Sequence, residues 1–192
     1  MKTTIILAHP WHGSFNKSIM DTTIEQLVCR KKDYQIIDLN KDQFNPVLSE
    51  SDLSLYSQGQ SRDPLVNQYQ EMLSDSDELV FIFPVWWFDV PAILKGFLDK
   101  VMLKNFAYVE ESTGLKGLLT HIKKTTVIST SEVPTWYLKF LAGNPIEGTL
   151  IRRSFKGIGL KNVKWLNSPF TSSGKDHRRK RFLDRVAKRI SV

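Results

Sequence analysis

The chain has 192 residues, of which 41% are hydrophobic, and it carries a formal net charge of +7. This length is enough to bury a hydrophobic core without disulfides or metals, and it predicts a single domain over residues 1–192. The only cysteine, Cys29, excludes an internal disulfide and favours a reducing compartment.

Neither a membrane span nor a secretory signal is predicted. The longest apolar stretch, Leu79–Leu94, is interrupted by Pro84, Asp89 and Pro91 and is too short to cross a bilayer. The first ten residues contain too short an apolar run for a signal peptide, and no small-residue cleavage pattern follows them. The sequence therefore predicts a cytoplasmic protein.

The excess positive charge is concentrated near the end of the chain. Apolar residues at helical spacing, from Phe182 to Ile190, alternate there with basic ones, which predicts a helix with one docked side and one basic side. The first interpretation is a solvated helix face, and the second is a surface that attracts phosphate-bearing ligands. No base-stacking or groove-reading motif is present, so nucleic acid is not a predicted partner. The basic residues are Lys175, Arg178, Arg179, Lys180, Arg181, Arg185, Lys188 and Arg189.

The first part of the chain alternates buried strands with amphipathic helices. Ser49 is a predicted helix cap, and so is Asp63, which is followed by a proline at the first helical position. The predicted elements are a strand over Thr3–Ala8, a loop over His9–Ser14, a helix from Phe15, a strand over Tyr34–Leu39, a helix over Ser49–Tyr56 and a helix from Pro64.

The central stretch combines a buried strand, an aromatic loop and a helix. Leu79–Phe83 has no polar alternation, as expected of a parallel strand covered on both faces, and Pro84 should end its pairing. Asp89 is predicted to cap the next helix, with Pro91 in its first turn. The rings of Trp86–Phe88 between them fit either a site for a planar ligand or a hydrophobic plug.

The second half continues the alternation. The predicted elements are a loop through Tyr108, Gly114 and Gly117, a strand over Thr125–Ser129, a helix over Trp136–Leu141, a helical piece over Thr149–Phe155, a strand over Val163–Leu166 and the basic helix. The pattern predicts a doubly wound parallel sheet with helices on both faces. Periodicity does not determine the order of its strands.

The first strand-to-helix loop is a candidate anion site, because helix N-termini present free N–H groups. Ser14 and Asn16 can add hydrogen bonds, and His9 can donate to a phosphate, although a histidine packed at a strand end is the alternative. The loop has a single glycine, so the dinucleotide fingerprint is absent, and no Walker loop occurs. Metal-ligand spacing and a nucleophile elbow are also missing, so no metal is predicted.

Four segments together resemble the flavodoxin-like NAD(P)H:quinone oxidoreductases. Their similarity to the family runs in order from the first strand to about Ser131. The segments are His9-Pro10 with Ser14-Phe15-Asn16, Phe44-Asn45-Pro46-Val47-Leu48, Pro84 with Trp87-Phe88 and Val90–Gly96, and Phe106-Ala107-Tyr108.

The resemblance implies a five-stranded sheet of order 2-1-3-4-5 that binds one FMN or FAD per subunit. It also implies a homodimer, with Tyr108 and the segment Ser49–Asp63 near the partner's flavin and with Trp87 and Tyr108 lining the substrate pocket. By matching positions, the phosphate is held by His9, Ser14, Phe15 and Asn16. The flavin ring is lined by Pro84, Val85, Trp86, Trp87 and Phe88, with backbone N–H groups at its polar edge.

The activity implied by the resemblance is a two-step hydride transfer. NAD(P)H is the co-substrate, the flavin N5 receives its hydride, and a quinone or similar acceptor takes it in turn. An azo-compound, nitro-compound or free-flavin reductase is an alternative on the same scaffold. Another is a flavin-bearing regulatory subunit of a potassium-efflux system, with the basic helix as its docking face. The Ser-Phe-Asn motif favours FAD, whereas the short chain favours FMN.

The chain departs from the family after the fourth strand. A Thr-Gly-Gly turn, a tyrosine and a histidine are replaced by Ser129–Tyr137, which has no glycine pair and no histidine. Thr130, Ser131 and backbone N–H groups are the candidates for the flavin's pyrimidine edge. Glu132 is unfavourable there unless its carboxylate points away or meets the ribityl chain. Tyr137 is a candidate for the missing tyrosine, with packing as the equal alternative, and no catalytic acid is assigned.

Overall fold

A computed structural model of the protein describes residues 1–112 and 114–191. No helix within these residues is both long and apolar enough to span a membrane. The elements in chain order are β1 (Lys2–Leu7), α1 (Phe15–Cys29), β2 (Asp33–Asp38), α2 (Glu50–Tyr56), α3 (Pro64–Ser74), β3 (Glu78–Pro84), α4 (Ala92–Val101), β4 (Tyr108–Glu111), β5 (Gly114–Gly117), β6 (Lys124–Thr130), α5 (Thr135–Phe140), a π-helix (Pro145–Phe155), β7 (Val163–Ser168) and α6 (Asp176–Ile190).

Five strands form one parallel sheet in the order β2-β1-β3-β6-β7. Counting only these strands, the order is 2-1-3-4-5, so the predicted fold is confirmed. All seven residues of β3 are buried, which explains why the strand shows no polar alternation. One face of the sheet packs on α1 and α6, and the other packs on α3, α4 and the π-helix.

The order of the strands places the candidate site. From β1 the chain passes through α1 on one face of the sheet to β2, and from β3 it passes through α4 on the other face toward β6, so the loops after β1 and β3 diverge at the carboxyl edge of the sheet. Ligands of doubly wound sheets bind in the crevice that such a divergence opens. The loops after β6 and β7 end at the same edge because all five strands are parallel.

Local predictions were confirmed at two helix caps and corrected at three other places. Ser49 forms a capping box with Asp52, and Asp63 accepts from the N–H of Leu65 at 3.0 Å. Asp89, however, does not cap α4: it accepts from the adjacent N–H of Val90 at 2.7 Å, and Pro91 is the capping residue. The segment predicted as a loop through Tyr108, Gly114 and Gly117 contains the antiparallel pair β4–β5, and the piece predicted over Thr149–Phe155 is part of the π-helix.

Candidate functional site

A cleft of about 500 Å³ opens at the carboxyl edge of the sheet, and a second of about 450 Å³ adjoins it. The two share Val85, Trp86, Ser131 and Glu132 as lining residues. All residues predicted to hold a cofactor line one or both of them. The first also contains His9, Ser14, Phe15, Asn16, Pro84 and Thr130, and the second contains Trp87 and Phe88.

The N-terminus of α1 forms one wall of the first cleft. Ser14 is the cap, and its Oγ accepts from the N–H of Lys17 at 3.2 Å. The intrahelical bonds begin at Lys17, so the N–H groups of Phe15 and Asn16 precede them. These donors and the positive end of the helix dipole suit an anion such as a phosphate.

Asn16 has an unpaired polar atom at this wall. Its side chain is buried, and its Nδ2 donates to Thr130 Oγ1 at 3.1 Å, which ties α1 to the end of β6. Its Oδ1 is buried and has no partner among the described residues. Turning the amide over lets the Thr130 hydroxyl donate to Oδ1 and presents Nδ2 to the cleft as a donor. Because an unpaired buried amide atom is costly, the side chain fits a polar ligand in the cleft.

His9 offers a further donor. Its Nδ1 accepts from the backbone N–H of Trp11 at 3.1 Å, so the proton of the neutral ring is on Nε2. Burial lowers the pKa of His9, which favours this neutral form. The ring lines the cleft and lies 6.0 Å from the ring of Trp86. His9 is therefore placed to donate to an oxygen atom of a ligand rather than packed away at the strand end.

The aromatic loop forms a tight turn. Trp86 and Asp89 exchange two backbone hydrogen bonds of 3.0 Å, and Trp87 and Phe88 between them have φ angles of 49° and 63°. Bulky side chains rarely adopt this left-handed conformation, which costs about 1–2 kcal/mol per residue. The N–H groups of Val85 and Trp86 donate to the carbonyls of Thr130 and Asp89. Among the residues predicted to line the flavin ring, only Trp87 and Phe88 therefore have backbone N–H groups outside these hydrogen bonds.

The rings of this turn are exposed rather than packed as a plug. Trp87 is 94% exposed, and Trp86 and Phe88 keep 46% and 43% of their surface accessible. Strained backbone at large exposed rings is a pattern found at ligand sites, where the surrounding fold holds the conformation. The plug interpretation of the sequence is therefore wrong.

Replacing Trp87 by glycine is expected to stabilise the protein. The substitution relieves the left-handed strain and gives up almost no burial, so the free energy of unfolding should rise by about 0.5–1 kcal/mol after the entropy cost of glycine. Trp136→Gly is the control, because Trp136 is an exposed tryptophan within α5, where glycine should destabilise by about 1 kcal/mol. Urea denaturation measures both; a destabilised Trp87→Gly protein would contradict the strain argument.

The loop after β6, where the chain departs from the family pattern, is held by hydrogen bonds of Ser131 and Glu132. The Glu132 carboxylate accepts from Ser172 N–H at 2.9 Å and from Ser172 Oγ at 2.7 Å. Ser131 Oγ donates to Val133 O and accepts from Asn167 Nδ2 at 2.9 Å. Glu132 thus binds the loop that follows β7, and both partners of this contact line the first cleft.

Two predicted residues lie outside the clefts. Tyr137 contacts the aromatic turn, with its ring 6.1 Å from that of Phe88, but it does not line either cleft. Tyr108 lines a separate cavity of about 370 Å³ between α4, the β4–β5 hairpin and the π-helix, together with Tyr56. Within one chain, therefore, Tyr108 is not brought together with Trp87.

Six residues of the first cleft are not among the predicted site residues: Trp11, Gly13, Ser18, Thr171, Ser172 and Arg179. The sequence places Arg179 on a basic helix face, either solvated or attractive to phosphate-bearing ligands, and in the structure its Nη2 donates to Thr171 O at 2.8 Å at the edge of the cleft. The order of the elements along the chain could have placed Arg179 at the cleft. Arg179 lies in the first turn of the helix after the last strand, and that turn must lie at the carboxyl edge.

The described residues contain no cluster of three or more histidine, cysteine, aspartate or glutamate side chains that would hold a metal. The site instead combines a helix N-terminus, hydroxyl and amide groups, and exposed aromatic rings. This donor set fits an anionic ligand with an attached planar ring system.

Comparison with known proteins gives concordant matches. The Flavodoxin_2 family, which has a flavodoxin-like fold, matches residues 1–190. An uncharacterized NAD(P)H oxidoreductase of Haemophilus influenzae is 30% identical over 168 residues, which are 86% of this chain and 82% of that protein. The solved structure of the NAD(P)H:quinone oxidoreductase from Methanothermobacter marburgensis matches with a TM-score of 0.89 and 26% identity, covering 100% of this chain and 98% of that one.

NAD(P)H dehydrogenase [quinone] 1 of Rattus norvegicus is 30% identical over 155 residues. The match covers 71% of this chain but only 56% of the rat enzyme, so the chain spans little more than half the length of that relative.

Proposed function

The chain belongs to the Flavodoxin_2 family, and on this premise we propose that it is a flavin-dependent NAD(P)H oxidoreductase that reduces a quinone or a similar acceptor. One observation carries the proposal. The N-terminus of α1, with the buried unpaired amide of Asn16, lines the first cleft, and the strained aromatic turn lines the adjoining one, with Trp86 lining both. An anion site beside exposed rings is what a flavin phosphate and its ring system require.

The residues divide the binding task between them. Ser14, Asn16 and the first N–H groups of α1 hold the phosphate, with His9 Nε2 as a further donor. The aromatic turn covers the ring system, and the hydroxyl groups of Thr130 and Ser131 face its polar edge. The flavin, when bound, supplies the hydride chemistry between NAD(P)H and the acceptor.

The carboxylate of Glu132 is held by two hydrogen bonds from Ser172. A carboxylate that already accepts two hydrogen bonds of 2.7–2.9 Å is held toward the loop after β7. We therefore propose that Glu132 shapes the cleft without acting as an acid or base, and that Tyr137 supports Phe88 instead of donating a proton.

We also propose that the active form is a homodimer. Helix α5 exposes Trp136 and Phe140, and Leu141 follows with 65% of its surface accessible. Trp136 and Phe140 are four residues apart and so lie on one face of the helix, and exposed large apolar groups grouped in this way favour burial against a partner. A second copy could then bring the Tyr108 cavity to the aromatic turn of its neighbour.

The purified protein is expected to be yellow or to become so when FMN or FAD is added. Its flavin absorbance should disappear on addition of NADPH or NADH and return with menadione, a quinone. Both changes are followed in one cuvette by absorbance under anaerobic conditions. A protein that binds neither flavin after reconstitution would overturn the proposal, and a bound flavin that no nicotinamide nucleotide reduces would leave binding without this enzymatic activity.

A further inference from the structure

Trp11 is a large apolar side chain left in solvent at the mouth of the first cleft. It lies in the loop between β1 and α1 and is 67% exposed. Its ring lines the cleft beside the N-terminus of α1. Tryptophan contributes a large apolar surface, so a ring exposed to this extent at a ligand cleft offers a ready stacking surface.

The loop holds this ring in place before any ligand arrives. The backbone of Trp11 is fixed on both sides, because its N–H donates to His9 Nδ1 at 3.1 Å and its carbonyl accepts from Ser14 N–H at 3.2 Å. Its indole packs against Gly13, where a Cβ atom would collide with the ring. Such preorganisation reduces the entropy cost of stacking a ligand on the ring.

The next residue anchors the loop to the sheet. His12 Nε2 lies 2.8 Å from the carboxylate of Asp38, which is 4% exposed at the end of β2. The loop that presents Trp11 is therefore tied at His12 to β2 and at Ser14 to the helix. These contacts fix the backbone that carries the Trp11 ring.

The cleft extends beyond the position of one phosphate. Past the first turn of α1 it continues to Ser18, and its opposite side is formed by the loop after β7 and by Arg179. Arg179 is held at this side by Asp176, 3.4 Å from its Nη1, and by Thr171 O, which accepts from its Nη2 at 2.8 Å. The cleft therefore has room for a ligand larger than one phosphate, and Trp11 suits an aromatic base in that ligand.

We propose that Trp11 is the platform on which the adenine of a dinucleotide flavin stacks, so that this chain selects FAD over FMN. The inference rests on the proposed function, since it concerns the far end of the same cofactor. Stacking of a nucleobase on an aromatic side chain corresponds to about a 5- to 150-fold gain in affinity. Only FAD has an adenine to stack, so FMN affinity should not depend on Trp11.

The test compares the two flavins on protein freed of its bound cofactor. Dissociation constants for FAD and FMN are measured by quenching of flavin fluorescence for the wild type, Trp11→Ala, Trp11→Phe and Tyr34→Ala. We expect the wild type to bind FAD about 5- to 150-fold more tightly than FMN. Trp11→Ala should lose this preference with FMN affinity unchanged, whereas Trp11→Phe should keep most of it.

Tyr34→Ala is the control, because it removes an exposed aromatic ring on β2 that lines neither cleft, and its preference should equal that of the wild type. Equal affinities for FAD and FMN in the wild type would overturn the inference, and so would an unchanged preference in Trp11→Ala. Binding of FMN in either case would leave the proposed function standing. If neither flavin bound to the wild type, the proposed function itself would fail and the inference with it.

Discussion

Replacing Ser14 and Asn16 together by alanine is expected to weaken flavin binding by about 150- to 25,000-fold. Each side chain can give one hydrogen bond to the phosphate, and a hydrogen bond to a charged group contributes about 1.5–3 kcal/mol. The backbone N–H groups of α1 remain in the double variant, so some phosphate affinity is retained. Fluorescence titration with FAD and FMN measures the change, and both flavins should be affected alike because each carries this phosphate.

The fold should survive this double substitution. Ser14→Ala removes an N-cap hydrogen bond, which costs about 1 kcal/mol, and Asn16→Ala removes the bond to Thr130 at a similar cost. Ser49→Ala is the matched control, since Ser49 caps α2 with the same chemistry but lines neither cleft. It should lose comparable stability and no flavin affinity.

Unchanged flavin affinity in a folded Ser14→Ala/Asn16→Ala protein would contradict the assignment of the phosphate to this helix. Comparable losses in Ser49→Ala would show that reduced affinity follows from lower stability alone. The two variants therefore separate binding at α1 from a general effect on the fold.

The second large effect concerns Lys100, a buried cation on α4 that lies away from the cleft. Its side chain is 5% exposed, and its Nζ donates to Asp63 Oδ2 and to Asn45 O, each at 3.0 Å. Asp52 lies 3.9 Å from the same nitrogen, and the ring of Phe44 lies 5.4 Å away. One ammonium group therefore joins α4, α2, the start of α3 and the segment after β2.

Lys100→Ala is expected to lower the free energy of unfolding by about 2–4 kcal/mol. Removing one partner of a buried ion pair leaves the other charge uncompensated and costs about 3–5 kcal/mol. We place the expected value lower because Asp63 is 22% exposed and retains part of its hydration. Denaturant unfolding followed by circular dichroism gives the difference.

Lys95 on the same helix provides the control. Lys95 pairs with Asp99 one turn away, but its side chain is 61% exposed. An exposed pair of this kind contributes about 0.3–0.5 kcal/mol, so Lys95→Ala should have little effect. If Lys100→Ala were as mild as Lys95→Ala, the ammonium group would not join these elements in the way the distances suggest.

The local features of this protein could be predicted from its sequence. The apolar run of β3, the caps at Ser49 and Asp63, and the alternation of strands with helices follow from residue types at short spacing. The motif at Ser14-Phe15-Asn16 predicted a helix N-terminus, and this helix end lines the cleft. A helix N-terminus is built from adjacent residues, so its donors can be recognised before the fold is known.

The errors occurred where a residue's partner is distant or its backbone is unusual. Aspartate is a preferred residue at helix caps, which is why Asp89 was predicted to be one. The turn at Trp87 and Phe88 adopts positive φ angles, and the Asp89 carboxylate accepts from the N–H of Val90 instead. Propensity does not predict such a turn, because it is unfavourable for these side chains in isolation. The surrounding structure has to hold it.

By itself, the sequence determined the fold class, the helix whose N-terminus forms a wall of the cleft and the aromatic residues of the loop after β3, because each depends on neighbouring residues. The tertiary structure alone decided which distant groups meet. It brought Asn16 to Thr130, Glu132 to Ser172 and Arg179 to the cleft, and it left Trp11 exposed at the mouth. These contacts join loops that follow different strands, and only the order of the strands in the parallel sheet places those loops at one edge.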